Sequence, residues 1–355
     1  MSSSSRRIWS VWARQGFVQG GFEGKGRGWN LKPRIVIPDD FPRAISGTKA
    51  EQKLNTLGEV RIYLDKAKTQ EELIERIKEA EVVINIRAYT HLNAEVLSSC
   101  QKLRLISIWG TGTDNVDLES AQKVGITVTN TPGANALSVA EHTITLLLSL
   151  ARQIPLLDRE VRSGNWPRVE MVQLSGKVLG LLGLGAIGRH VARMAKGLGM
   201  DVIAWTFHPS AERAKESGVR FVSKEELLET SDVVSLHLLL TNETRGFMKK
   251  GDFDLMKRTA FFVNTARAGL IEPEALYEAL LSKKIAGAAL DAYDQEPLPP
   301  EHPLTTLPNV VFTPHNAGMT AEAIINGLMM AVENVEAFLA GQGINRACVV
   351  VKGSH

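Results

Sequence analysis

The stretch KVLGLLGLGAIGRHVARMAKGLGMDVIAWT, Lys177 to Thr206, decides the fold. It opens on a short apolar run, Val178 to Leu182, of the length and composition of a strand buried on both faces. Gly183, Gly185 and Gly188 follow with the spacing G-x-G-x-x-G. From Ala186 the apolar residues Ile187, Val191, Met194, Ala195 and Leu198 fall three and four apart, which is helical spacing. Gly199 closes that helix, and Asp201 to Thr206 reads as a second strand. Strand, glycine turn, helix and strand within about 30 residues form the unit that binds a dinucleotide. One glycine permits the tight turn, one lets backbone approach a pyrophosphate, and one lets helix and strand pack closely. Ala186 and Ile187 open the helix, whose unpaired N–H groups face the phosphate charge. An acid is expected at the end of the second strand to hold a ribose 2′-OH. Thr206 stands there instead, followed by Phe207, His208 and Pro209, so both NAD and NADP stay open.

A chain of 355 residues suits two domains of ordinary size, each with its own core. The composition, 44% hydrophobic and 23% charged, is that of a globular protein. A net charge of +2 with no dense basic run past the N-terminal tail argues against a nucleic-acid partner. Cys100 and Cys348 have neither metal-ligand spacing nor the numbers for a disulfide framework, so no metal is expected and a reducing compartment is. No apolar run approaches the roughly 20 residues that cross a bilayer, so no membrane partner is expected and the location reads as cytoplasmic. Residues 1–32, rich in Ser, Gly and Arg, read as an extension outside the fold. Their basic, acid-poor character is shared by organelle-targeting segments, which leaves that as the alternative.

From Pro33 an alternating pattern predicts strands at Arg34–Pro38, Val60–Leu64, Val82–Ile86, Leu103–Ile108 and Ile126–Val128, with helices at 69–80, 93–100 and 117–123. This is a parallel α/β domain ahead of the glycine motif. Two of its strands end at Arg87 and at Trp109-Gly110-Thr111-Gly112-Thr113, and ligands bind beyond the carboxyl ends of such strands. A long helical pattern, Ser138 to Arg162, broken by Pro155, leads into the dinucleotide domain. It is apolar nearly all round, so burial on several sides is expected, part of it by a second subunit. Further strands are read at Arg220–Val222, Val233–His237, Ala260–Asn264, Ala288–Leu290 and Val310–Thr313. Helices are read at 210–217, 224–230 and 273–283, and a last one spans Thr320 to Leu339 before a short apolar tail.

Three segments at strand ends carry the polar chemistry: Asn264-Thr265-Ala266-Arg267-Ala268-Gly269, Asp291-Ala292-Tyr293-Asp294-Gln295-Glu296-Pro297, and Thr313-Pro314-His315-Asn316-Ala317-Gly318. Singly, each has a bland reading as a solvated or structural loop. Together they place a cation, an acid and an imidazole on one cleft, which suits reduction of a carbonyl beside a carboxylate. His titrates near neutral pH, a neighbouring Glu fixes its tautomer, and Arg presents a planar fork that matches a carboxylate.

With the glycine motif, Gly110-Thr111-Gly112-Thr113-Asp114-Asn115-Val116-Asp117 and Ser138-Val139-Ala140-Glu141-His142, these segments resemble the D-isomer-specific 2-hydroxyacid dehydrogenase family over about Arg34 to Asn345. The resemblance implies an α/β chain of two Rossmann-like domains with parallel sheets flanking a cleft. The first, discontinuous domain would be the substrate domain, residues 33–132 and 318–347, and residues 133–317 would bind NAD(P). It makes Arg267 the anchor of substrate carboxylate and carbonyl, His315 the acid/base and Glu296 its paired carboxylate. It places Asp291 beside the nicotinamide carboxamide and makes Thr111 and Gly112 backbone donors to the substrate carboxylate, with Arg87 a further substrate contact. Thr206, Thr265, Ala266 and Gly318 join the glycine turn in the expected cofactor site.

The expected activity is NAD(P)-dependent interconversion of a 2-oxoacid and a D-2-hydroxyacid. A phosphoglycerate or hydroxypyruvate/glyoxylate reductase type is the alternative, and an NAD(H)-sensing corepressor-like scaffold the non-enzymatic one. Two-fold dimers of related enzymes imply a homodimer through the region of Trp166. The departures are Thr206 in place of the acid, Leu239 where many relatives carry Pro, and an end at His355 without an appended regulatory domain.

Overall fold

The computed structural model describes residues 32–87, 89–344 and 348–353. Five strands come first: β1 (Arg34–Ile37), β2 (Glu59–Ile62), β3 (Val82–Asn85), β4 (Leu105–Ile108) and β5 (Thr127–Thr129). Seven more follow: β6 (Val178–Leu182), β7 (Asp201–Trp205), β8 (Arg220–Phe221), β9 (Val233–Leu236), β10 (Phe261–Asn264), β11 (Gly287–Leu290) and β12 (Val310–Phe312). The last is β13 (Val349–Val351). They form two sheets, ordered β13-β5-β4-β3-β1-β2 and β12-β11-β10-β9-β6-β7-β8. Every pairing is parallel except β13 against β5.

The inner strands of each sheet are buried on both faces. Ile106 and Val83 point to one apolar cluster of the first sheet, and Ile84 and Leu105 to the other. In the second sheet Leu181 and Val263 face one cluster and Val234 and Phe262 the other. That is why these strands are runs such as Val82-Val83-Ile84 rather than alternating patterns. The second sheet starts from β6 and runs outward in both directions, so the order of strands reverses between β6 and β9. Such a reversal opens a crevice at the carboxyl ends of the strands. The glycine turn follows β6 directly and therefore lies at that crevice.

The 138–162 region divides. Helix Ala136–Ala151 is buried along most of its length and packs on helix Ala186–Gly197 and on β10, β11 and β12. Helix Ile154–Arg162 has no buried residue, so within one chain the burial stops at the first half of the stretch. The break is at Gln153, whose φ of 51° is left-handed, two residues before the expected Pro155 boundary. Helix Ala321–Leu339 returns to the first sheet, packing on β4 and on helix Lys49–Leu57. The tail then forms β13 in that sheet, past residue 347. Among the described residues no helix is long and apolar enough to cross a membrane. The 1–32 extension, apart from Lys32, lies outside the described residues.

Candidate active site

Each glycine of the motif meets a different constraint. Gly183 has φ 105°, and a Cβ there would lie 2.5 Å from the His237 carbonyl oxygen. At Gly188 a Cβ would strike the Gly183 carbonyl, so helix and turn touch only because this residue is glycine. At Gly185 a Cβ would meet nothing within 4 Å, which leaves the backbone open to an approaching ligand. Gly185 is also the N-cap of helix Ala186–Gly197, and no side chain caps it. An uncapped N-terminus of a full-length helix beside open space fits a dinucleotide pyrophosphate, held by the N–H groups of Ala186, Ile187 and the turn. His237 buttresses the turn from below: its Nε2 meets Ser235 Oγ at 2.9 Å, and burial drops its imidazole to about 4, so it is neutral there. Thr206, half-buried, ends β7. Arg213, from the following helix, donates to the carbonyls of His208 (2.7 Å) and Leu184 (2.9 Å), which ties the end of the second strand to the glycine turn.

His315 and Glu296 come together. Nδ1 of His315 lies 2.8–2.9 Å from both Glu296 carboxylate oxygens. A carboxylate only accepts, so Nδ1 carries the proton and Nε2 is the nitrogen left for a substrate. Burial tends to raise the Glu296 carboxyl, but the His315 hydrogen bond, the Tyr293 N–H (3.0 Å) and the nearby Arg267 charge outweigh it and hold the group below its ordinary value. His315 has φ 56°, a left-handed conformation costly for a residue with a Cβ. Asp291 holds it there. One of its oxygens accepts from Thr313 Oγ1 (2.6 Å) and Asn316 N (2.9 Å), the other from Ala317 N (2.9 Å). Burial pushes the Asp291 carboxyl up, and the bonds from His142, Thr313, Ala317 and Asn316 bring it below its ordinary value. At 1% exposure, Asp291 braces the His315 turn from beneath the cleft surface.

Arg267 leaves the end of β10 and reaches the other sheet. Its Nε is 3.4 Å from the Asp114 carboxylate, and its Nη1 donates to the Ala266 carbonyl at 3.0 Å. A Cβ on Gly112 would collide with the Arg267 guanidinium, so the arginine lies directly against the Gly110–Thr113 loop. Arg87, at the end of β3, is tied to the same loop, because Asn115 Nδ2 donates to its carbonyl at 3.2 Å. Its guanidinium lies 5.8 Å from the Trp109 ring and donates to the Pro42 carbonyl. Beside it is the buried Asp39, whose carboxyl burial pushes up to about 7 despite the Arg87 charge. Thr265 is buried with its hydroxyl 2.9 Å from Thr143, behind the cleft. Gly318 packs against the Asn135 side chain at the start of helix Ala136–Ala151.

Sequence reasoning passed over Asp114, although it sits inside a quoted motif, and Asn130, Thr131 and His142. His142 offers Nε2 to Thr313 at 3.0 Å and to Asp291 at 3.5 Å, so it braces the histidine turn from the inter-domain helix. The signal was its place, four residues after Ser138, on the helix face that meets the dinucleotide domain.

A reversed-order parallel sheet with this turn, facing an acid–base pair and an arginine, defines a nicotinamide-dinucleotide oxidoreductase. A family model described as D-isomer specific 2-hydroxyacid dehydrogenase, NAD binding domain, matches residues 144–317. The chain is 38% identical over 319 residues to a glyoxylate reductase of Korarchaeum cryptofilum, covering 88% of this chain and 94% of that one. It is 42% identical over 281 residues to a D-3-phosphoglycerate dehydrogenase of Archaeoglobus fulgidus, covering 79% of this chain but 53% of that one, so it spans about half of that relative. A solved acyclic imino acid reductase in complex with NADPH and D-Arg is similar with a TM-score of 0.80 at 28% identity, covering 90% of this chain and 100% of that one. The chain belongs to the D-isomer specific 2-hydroxyacid dehydrogenase family, which includes a dehydrogenase and a reductase named here and whose matching model is an NAD binding domain.

Proposed function

We propose that the protein reduces a small 2-oxoacid to the D-2-hydroxyacid, and reverses that reaction, with His315, Glu296 and Arg267 as the working side chains. The observation that carries this reading is the His315 Nδ1–Glu296 bond, which turns Nε2 to the substrate side. The bound nicotinamide would supply or accept the hydride. Arg267 would take the substrate carboxylate and carbonyl in its planar fork, and the Thr111 and Gly112 N–H groups would take the carboxylate from the opposite side. Nε2 of His315 would deliver a proton to the carbonyl oxygen during reduction and remove it during oxidation. Residues 33–132 with the C-terminal helix and strand would serve as the substrate domain, and 133–317 as the cofactor domain. Single-turnover oxidation of NADH and of NADPH by glyoxylate, hydroxypyruvate, pyruvate and phosphohydroxypyruvate tests the reading and ranks the substrates. No oxidation by any of them would favour a dinucleotide-sensing scaffold instead.

For the cofactor, Thr206 puts no negative charge near a 2′-phosphate and Arg213 keeps a positive one at the same strand end. NADPH is therefore accepted as well as NADH, with kcat/KM values within about 100-fold, less than ~2.7 kcal/mol of discrimination. Thr206→Asp should move the ratio toward NADH. Strict NADH dependence of the wild type would defeat this.

The partner is a second copy. Ile154 (53% exposed), Val161 (49%), Trp166 (76%) and Met171 (41%) lie along one segment, 154–171, that none of the described residues covers fully. Trp is enriched where associations gain most of their energy. Sedimentation equilibrium at micromolar concentration should give twice the chain mass, and Trp166→Ala should weaken the dimer. A fully active wild-type monomer would refute it. Both cysteines are buried thiols, in keeping with a reducing, cytoplasmic location.

A further inference from the structure

Asn130, at the end of β5, contacts three distant parts of the chain at once. Its side-chain Nδ2 donates to the Thr111 carbonyl at 2.8 Å. Its N–H donates to the Cys348 carbonyl at 2.8 Å, at the start of the C-terminal strand. Its own carbonyl accepts from Asn334 Nδ2 of helix Ala321–Leu339 at 3.1 Å. The next residue, Thr131, grips the same loop one position earlier. Thr131 Oγ1 accepts from Gly110 N at 2.7 Å, and Thr131 N donates to the Gly110 carbonyl at 2.9 Å.

The consequence follows from peptide geometry. The Thr111 carbonyl and the Gly112 N–H belong to one planar trans peptide, so the two point in opposite directions. Drawing the carbonyl toward Asn130 turns the Gly112 N–H away from Asn130, and a Cβ on that same residue, Gly112, would meet the Arg267 guanidinium. The Gly110 N–H is consumed by Thr131. The Thr111 and Gly112 N–H groups have no acceptor among the described residues. The amide orientation of Asn130 has one consistent assignment, since the flipped form would set oxygen against oxygen. That assignment leaves Asn130 Oδ1 buried without a partner.

We propose that Asn130 is a positioning residue for substrate: it fixes the Thr111–Gly112 peptide so that the Gly112 N–H faces the carboxylate held by Arg267, and the C-terminal helix and strand hold Asn130 in place. The proposal rests on the reading of Gly110–Thr113 as the carboxylate loop. The test uses the full chain with oxamate, a 2-oxoacid mimic, and the best 2-oxoacid of the panel. In Asn130→Ala and Asn130→Asp, the oxamate Kd and the 2-oxoacid KM should rise about tenfold, the scale of one displaced hydrogen bond to a charged group. The KM for NADH should stay unchanged.

The pH dependence separates positioning from mere packing. In Asn130→Asp the new carboxyl faces a carbonyl, and once protonated it regains a donor. Oxamate affinity should therefore recover on acidification in Asn130→Asp and not in Asn130→Ala. If both variants fail to fold, Asn334→Ala, which frees the Asn130 carbonyl and removes a bond to Cys348 at the start of the C-terminal strand, should still weaken oxamate without moving the KM for NADH. Wild-type oxamate affinity in a folded variant, or an equal rise in both KM values, overturns the proposal. A wild type that neither binds oxamate nor turns over any 2-oxoacid overturns the loop reading beneath it.

Discussion

His315→Ala should lower kcat by about 10²–10⁴-fold, the usual worth of a positioned acid–base group, with little change in the KM for either cofactor. The expectation comes from geometry. Nδ1 is committed to Glu296, the ring is aimed by a left-handed residue, and that residue is pinned by three hydrogen bonds from Asp291 to its neighbours. Two other described histidines near the cleft do not replace it: His237 is half-buried and neutral, and His142 is spent on Thr313 and Asp291. In the direction of reduction His315 gives a proton to the carbonyl oxygen, and in oxidation it takes one back. Glu296→Gln removes the carboxylate that accepts from Nδ1 and should lower kcat in both directions. Glu296 is held below its ordinary range, so the sign is fixed. Its stabilising contribution is complete above the ordinary carboxylate range and is lost as pH falls through its lowered value. Across neutral pH the pair stays intact. Near-wild-type turnover in purified His315→Ala would remove the residue from the mechanism.

The parts legible in the sequence are those whose physics is local. The glycine turn needs φ 105° at Gly183 and no Cβ at Gly188, and only glycine meets both demands, so the spacing itself reports the structure. The polar segments at 264–269, 291–297 and 313–318 each follow or close an apolar strand, and a parallel sheet turns that order into one shared edge. What escaped lacks such a signature. Helix Lys49–Leu57 buries only Ala50 and Leu54, so its apolar stripe is too thin to register. Its one local mark was the pair Thr48 and Glu51, spaced as a capping box, in which Glu51 N donates to Thr48 Oγ1 and Gly47 N to Glu51. The strand β13 pairs antiparallel at an edge without a crossover helix, so nothing before it in the sequence announces it. The Asp291 role escaped for another reason: its partners lie 22 to 26 residues on, and only the folded turn shows that both carboxylate oxygens are spoken for.

Arg267→Lys should lower kcat/KM by about 10- to 100-fold, and Arg267→Ala by about 10²–10⁴-fold, taking each hydrogen bond to a charged group as ~1.5–3 kcal/mol. The charge survives in lysine, but the fork does not. A single ammonium can meet the carboxylate or lean toward the carbonyl, and cannot hold both in one plane. The surroundings sharpen the difference. Arg267 Nη1 is anchored on the Ala266 carbonyl, and Nε faces Asp114 at 3.4 Å, so the planar group is held on two sides before any substrate arrives. Lysine in that place keeps an attraction to Asp114 and loses the bond to Ala266. Its ammonium would be drawn toward the exposed Asp114 and away from the Gly112 backbone. The loss should appear in both constants, as a raised KM for the 2-oxoacid and a lowered kcat, because the carboxylate is held in the ground state and the carbonyl oxygen gains charge only in the transition state. Steady-state kinetics on the purified variants decides the point. Unchanged constants in Arg267→Lys would mean that a point charge suffices and that the fork is not what binds substrate.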